Sequence, residues 1–203
     1  MKIALIGATG FIGSRLLAEL TGRGHQVTAI VRNPEKVQQA AGVSATKGDV
    51  YDRDGLAALL AGHEAVISAV HFTASDPAVL LAAVKRSGVA RYLVVGGAGS
   101  LEVAPGVKLF DTKEFPALYL DEARKGGAFL DLLKGEGDLD WTFLSPSALI
   151  EPGERTGKFR LGKDQLLVDD NGQSRISAED YAIALVDELE RPAYSRQRFT
   201  VGY

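Results

Sequence analysis

"KIALIGATGFIGSRLL", residues 2–17, decides how the chain is read. Four apolar residues, Ile3 to Ile6, run into three glycines set three apart, Gly7, Gly10 and Gly13, and these lead into a stretch with helical spacing. An apolar run without polar alternation predicts a strand covered on both faces. Glycine lacks a Cβ and tolerates positive φ, so backbone at such a turn can come within hydrogen-bonding reach of a phosphate. A helix opening there adds unpaired N–H groups and the positive end of its dipole. The glycine spacing by itself is a weak signal. The strand before it and the helix after it point to the diphosphate of a dinucleotide.

The same rhythm continues along the chain. Apolar runs at residues 2–6, 26–31, 45–48, 65–69, 92–95 and 141–144 alternate with helix candidates. These cover residues 11–23, 34–41, 53–60, a segment opening at Asp76-Pro77 and closing at Gly88, and 115–134. Asp76 before Pro77 is an N-cap followed by proline at the first helical position. The alternation predicts an α/β fold, a Rossmann-type doubly wound parallel sheet. After Pro146 the pattern changes: residues 151–177 are rich in Gly, Asp, Lys and Arg, with brief apolar pieces at 159–161 and 166–168. A capping-box-like Ser177–Asp180 opens a last helix at 181–190, and 198–201 reads as a final edge strand. The chain therefore reads as one domain, 1–203, in which 151–203 forms a small C-terminal substrate lobe.

Bulk properties narrow the function. The 203 residues are 46% hydrophobic and 24% charged, with net charge −3, which gives a sizeable core but no basic footprint for nucleic acid. No apolar run approaches the roughly 20 residues that span a bilayer, so no membrane role is expected. With no cysteine, disulfides and thiolate chemistry are excluded, and a cytoplasmic setting fits. His25, His63 and His71 lack metal-ligand spacing.

The second apolar run ends at Val31-Arg32-Asn33-Pro34, where NAD binders carry an acid for the ribose hydroxyl. Arg32 cannot accept a hydrogen bond, but it can pair with a 2′-phosphate, with Lys36 as a helper, so NADP(H) is expected over NAD(H). Asp49, beside Val50, suits either the adenine amino group or the capping of a turn. Ala69 and Val70 end the fourth run where the cofactor ribose should pass. His71 follows them as a conceivable proton donor.

The segments "GATGFIG", "VRNP", "KGDVYD", "YLVVGGAGSL", "DWTFLSPSALIEPGERTG" and "ISAEDYAIALVDELE" together resemble the atypical short-chain dehydrogenases, in particular NmrA-like NAD(P)H-binding proteins of the flavin reductase subgroup. The resemblance implies a phosphate loop at Gly7, Thr9, Gly10, Phe11 and Ile12, and a 2′-phosphate site at Arg32. It implies an adenine pocket at Asp49 and Val50, and nicotinamide near Gly96, with backbone of Pro146, Ser147 and Ala148 meeting the carboxamide. Ser100 stands near the family's catalytic serine, although a serine in a glycine loop is also an ordinary turn residue.

One departure matters. Carbonyl-reducing relatives use Tyr-x-x-x-Lys, in which lysine lowers the tyrosine pKa. Here Tyr92 is followed four later by Gly96, and Tyr119 by Ala123; Lys125 lies six beyond Tyr119. The chemistry that survives is hydride transfer to a planar acceptor that delocalises charge, with flavin or quinone as substrate and no bound flavin. Phe72, Phe110, Phe115 and Tyr119 offer a stacking wall, and Ser100 and Tyr119 are the catalytic candidates. A small-molecule partner, and a monomer or homodimer, are expected. The alternatives are an NADP(H)-sensing regulator and, behind it, a nucleotide-sugar epimerase or dehydratase.

Overall fold

The computed structural model describes residues 1–203. Its centre is a sheet of eight strands built as the alternation requires. In chain order these are β1 (Lys2–Ile6), β2 (Gln26–Val31), β3 (Val43–Lys47), β4 (Ala65–Ser68), β5 (Arg91–Val95), β8 (Asp140–Ser145), β10 (Arg160–Gly162) and β12 (Gln197–Gly202). Two small pairs stand outside it: β6 (Glu102–Ala104) with β7 (Val107–Lys108), and β9 (Leu149–Glu151) with β11 (Arg175–Ser177). The sheet order is β10-β12-β8-β5-β4-β1-β2-β3, parallel throughout except that β10 runs antiparallel to β12.

The period-two alternation of β1 sends Ile3 and Leu5 to one face and Ala4 and Ile6 to the other, all fully buried. On the first face pack α1 (Phe11–Gly22) and α5 (Ala178–Glu190); on the second lie α2 (Arg53–Leu60), α3 (Pro77–Ser87) and α4 (Leu120–Lys134). The result is the doubly wound, three-layer α/β architecture expected from sequence. As anticipated, Asp76 caps α3 by accepting from the N–H groups of Ala78 and Val79, and Ser177 caps α5 through Asp180.

Three expectations need correction. Residues 34–41 form only a 3-10 turn, Pro34–Lys36; Val37 alone of that segment is buried, so a helix there would have no apolar face to pack. The helix expected from 115 starts at Leu120, because Phe115 precedes a proline and Pro116 itself is extended. The final strand is interior, not an edge: β12 pairs with β8 on one side and β10 on the other. Its Arg198 and Thr200, which read as edge residues, are both buried.

The C-terminal segments are tied to the main sheet by charged contacts. Arg91 on β5 reaches Glu188 on α5 at 2.8 Å and the Thr142 hydroxyl at 2.7 Å, all three side chains buried. Glu188 also accepts from the N–H groups of Ala193 and Tyr194. The fully buried Asp180 accepts from the Thr156 and Gly157 N–H groups and from the Tyr203 hydroxyl, fixing the loop before β10.

Candidate nucleotide and acceptor site

The order of the sheet reverses between β1 and β4, and the crevice outside their carboxyl ends is where open α/β sheets bind ligands. The glycine turn lies there. Gly7 has φ +85°, and a Cβ on it would stand 2.5 Å from the Ala69 carbonyl oxygen. Gly13 packs so closely on Gly7 that a side chain would strike its carbonyl. Both glycines are thus required by the close approach of turn, helix and β4. Gly10 serves as the N-cap of α1 with no side-chain cap and no acid in the first turn. The N–H groups of Thr9, Phe11 and Ile12 have no intramolecular acceptor, and all four of these residues except Ile12 are exposed. An anion-binding helix terminus is left open to solvent.

Arg32 and Lys36 are exposed and engaged in no hydrogen bond or ion pair. A surface cleft of about 550 Å³ between α1 and residues 36–41 is lined by Thr9 and Lys36 together. Asp49 uses Oδ1 to accept from the Tyr51 N–H at 2.9 Å. The turn-capping role foreseen for it therefore has direct support, while its second oxygen stays free. Val50 is half-buried against the core under β4, and Ala69 and Val70 abut Gly7. These residues fit a dinucleotide: free amides for its diphosphate and an unpaired guanidinium beside them.

Across the crevice the polar groups are already committed. A Cβ on Gly96 would collide with the Phe143 ring, and its N–H donates to Leu144 within the sheet, so this glycine serves close packing. Ser147 is buried and its hydroxyl donates to the Val201 carbonyl at 2.9 Å. The Ala148 N–H donates to Ser174 Oγ. That leaves the Ser147 N–H, the buried Pro146 carbonyl and the buried Ser145 hydroxyl without partners at that strand end. Ser100 is buried too, and Arg198 donates to its Oγ at 3.0 Å while also holding Asp164.

Neither tyrosine hydroxyl inside the fold is available as an acid. Burial raises the pKa of Tyr92 and of Tyr181 well above the ordinary tyrosine range; the first bonds Ser68 Oγ and the second the Leu144 carbonyl. Tyr119 is 59% exposed, and Lys125 pairs with Asp121 at 3.1 Å. The face of α4 turned toward the glycine loop after β5 consists of Ala123, Gly126 and Gly127, packed against Gly99, Phe72 and Phe110. Small residues occupy that face, so no tyrosine–lysine pair is assembled. Phe72, expected in a stacking wall, is instead core: it stacks on Phe143 at 6.3 Å and meets Phe129 edge-on. Phe110 and Phe115 are half-buried, and Leu118 and Tyr119 form an exposed apolar pair before α4.

One contact escaped sequence reading. Glu122 on α4 accepts from the Phe72 and Thr73 N–H groups, both at 2.8 Å, and from Thr73 Oγ1 at 2.7 Å, with His71 Nδ1 3.3 Å away. Burial alone would raise its pKa; the donors outweigh that and hold the carboxyl below its ordinary range. Fifty residues separate the partners, and no local pattern announces them.

Comparison with known proteins follows the same line. Residues 7–192 match a family model described as NAD(P)H-binding. The chain belongs to this family. Its resemblance to atypical short-chain dehydrogenases is thereby confirmed. YwnB of Bacillus subtilis, an uncharacterized protein, is 43% identical over 99% of this chain and 98% of its own. A Bacteroides thetaiotaomicron structure, provisionally named an epimerase, is 46% identical with a TM-score of 0.95, covering 100% of this chain and 96% of its own. A Streptococcus pneumoniae structure, provisionally named an NADH-flavin reductase, is 36% identical with a TM-score of 0.83, covering 100% and 99%.

Proposed function

We propose that this member of the family is an NADPH-dependent reductase of a flavin, quinone or similar planar acceptor. The observation that carries the reading is the contrast at the crevice: open amides at the α1 terminus, and no tyrosine–lysine pair on α4. Bound in the crevice, the reduced nicotinamide supplies a hydride. The chain's own task is to bind and orient. The Thr9, Phe11 and Ile12 N–H groups hold the diphosphate, Arg32 with Lys36 holds a 2′-phosphate, and the Ser147 N–H and Pro146 carbonyl orient the carboxamide. Leu118 and Tyr119 give a flat acceptor an apolar edge to lie against. A monomer or homodimer in the cytoplasm, where reduced nicotinamide nucleotides are at hand, fits this role. The name of the pneumococcal relative lends support.

The same lack of a proton-handling pair also suits an NADP(H)-sensing regulator, and the name of the Bacteroides relative keeps epimerase chemistry as a lesser alternative. Purified protein mixed with NADPH and FMN or menadione should lose nicotinamide absorbance. Tight nucleotide binding with no turnover of either acceptor would favour the sensor. Arg32→Ala should raise KM for NADPH about tenfold or more and leave that for NADH unchanged, because one charge-assisted contact is lost.

A further inference from the structure

The loop after β4 is fixed more firmly than an exposed connection needs to be. Ala69 N–H donates to Ile6 O at 2.9 Å, which keeps the loop beside the glycine turn. Phe72 is locked between Gly97 and Gly126. Glu122 accepts from the Phe72 and Thr73 N–H groups and from the Thr73 hydroxyl. Ser75 Oγ donates to the His71 carbonyl at 2.9 Å. Yet the imidazole that this scaffold carries is 83% exposed and covers nothing. It follows Val70 directly, at the carboxyl edge of β4 and beside the point where strand order reverses. Glu122 is the charged group within ion-pair distance of the ring. On the ring's own loop, Asp76 is committed to capping α3.

We infer that His71 is the proton donor to the acceptor, aimed by Glu122 as its positioning residue; this rests on the reductase reading. The step balances as follows. A reduced nicotinamide nucleotide gives a hydride, with its two electrons, to a flavin or quinone. The imidazolium of His71 gives its Nε2 proton to the anionic nitrogen or oxygen so formed. The neutral ring regains a proton from solvent, and the products are oxidised nucleotide and dihydro-acceptor. A carboxylate facing Nδ1 fixes which nitrogen points outward, as the orienting acid does in other histidine-based sites. The tyrosine and lysine of the family would thus be replaced by a group on the loop after β4, held beside α4 by Glu122.

The test uses the full chain with FMN and NADPH. His71→Asn should lower kcat about tenfold or more, leave KM for NADPH unchanged, and abolish the fall in rate as pH rises. His71→Gly should regain rate when imidazole is added. Glu122→Gln should lower kcat in the native background and have no effect on kcat once His71 is replaced. Independently of turnover, the His71 ring resonance in protein saturated with NADP⁺ should shift when FMN is added. An Asn variant with the native kcat and pH profile, or a ring resonance that FMN leaves unmoved, overturns the proposal while sparing the reductase reading. A native protein that binds NADPH but turns over no acceptor overturns both.

Discussion

The two walls of the crevice are made differently. On the β1–β3 side the groups that would meet a ligand are backbone N–H groups and unpaired cations, left open by glycines that no side chain could replace. On the β5–β8 side and in the C-terminal segments, several buried polar side chains are already bonded: Ser100 to Arg198, Ser147 to Val201, Asp180 to residues 156–157 and 203. On the function proposed above, the first wall would receive an anion, and the second is a scaffold that would offer an acceptor shape, apolar surface and the imidazole at its border. Binding energy and chemistry would then fall on opposite sides of one sheet edge.

The contrast can be broken from either side. Gly7→Val should have the largest effect, because it puts a β-branched residue at φ +85° with its Cβ 2.5 Å from the Ala69 carbonyl. Calorimetry should register no nucleotide binding, and thermal unfolding should report a loss of several kcal/mol, of the order seen when strain and overpacking combine. Glu188→Ala should come next. It leaves the buried Arg91 guanidinium with only Asp140 and Thr142 as side-chain partners, at a cost of up to about 3 kcal/mol in denaturant unfolding, while NADPH affinity in the folded protein stays native. A loss of affinity there would show that the scaffold wall shapes the nucleotide wall.

Glu19→Gln should have the smallest effect, and one that depends on pH. The Arg155 guanidinium, joined by Arg23, holds the Glu19 carboxyl below its ordinary value of 4.5. A carboxyl with a depressed folded-state pKa contributes stability above its unfolded value and loses it as pH falls through the folded one. The melting temperature of the native protein should therefore exceed that of the variant at neutral pH. The gap should close on acidification below about 4.5.

How far the sequence could be read follows the same division. The β1–turn–α1 unit was legible because it is local: the apolar run Ile3–Ile6 and the glycine spacing lie side by side in the chain, and each residue type is dictated by burial or backbone geometry. The strands were legible for a related reason, since burial on both faces leaves uninterrupted apolar runs. What failed depended on distant partners. Arg198 carries a polar signal that only Asp164 and Ser100 neutralise, and Thr200 is covered because β10 pairs alongside it. Phe72 belongs to the core because Gly126, more than fifty residues away, leaves room for its ring. Glu122 had no signal at all, being one of two acids on the first turn of α4. The segment 34–41 misled because its composition suits a helix that nothing nearby would cover.

Strand β12 enters a slot whose two sides, β8 and β10, come earlier in the chain. During synthesis on a ribosome, those two strands wait with raw edges until β12 emerges to knit them together. Such a waiting period exposes sticky backbone to neighbours. The glycine turn, whose packing partners come from α1 and the end of β4, is under no such delay.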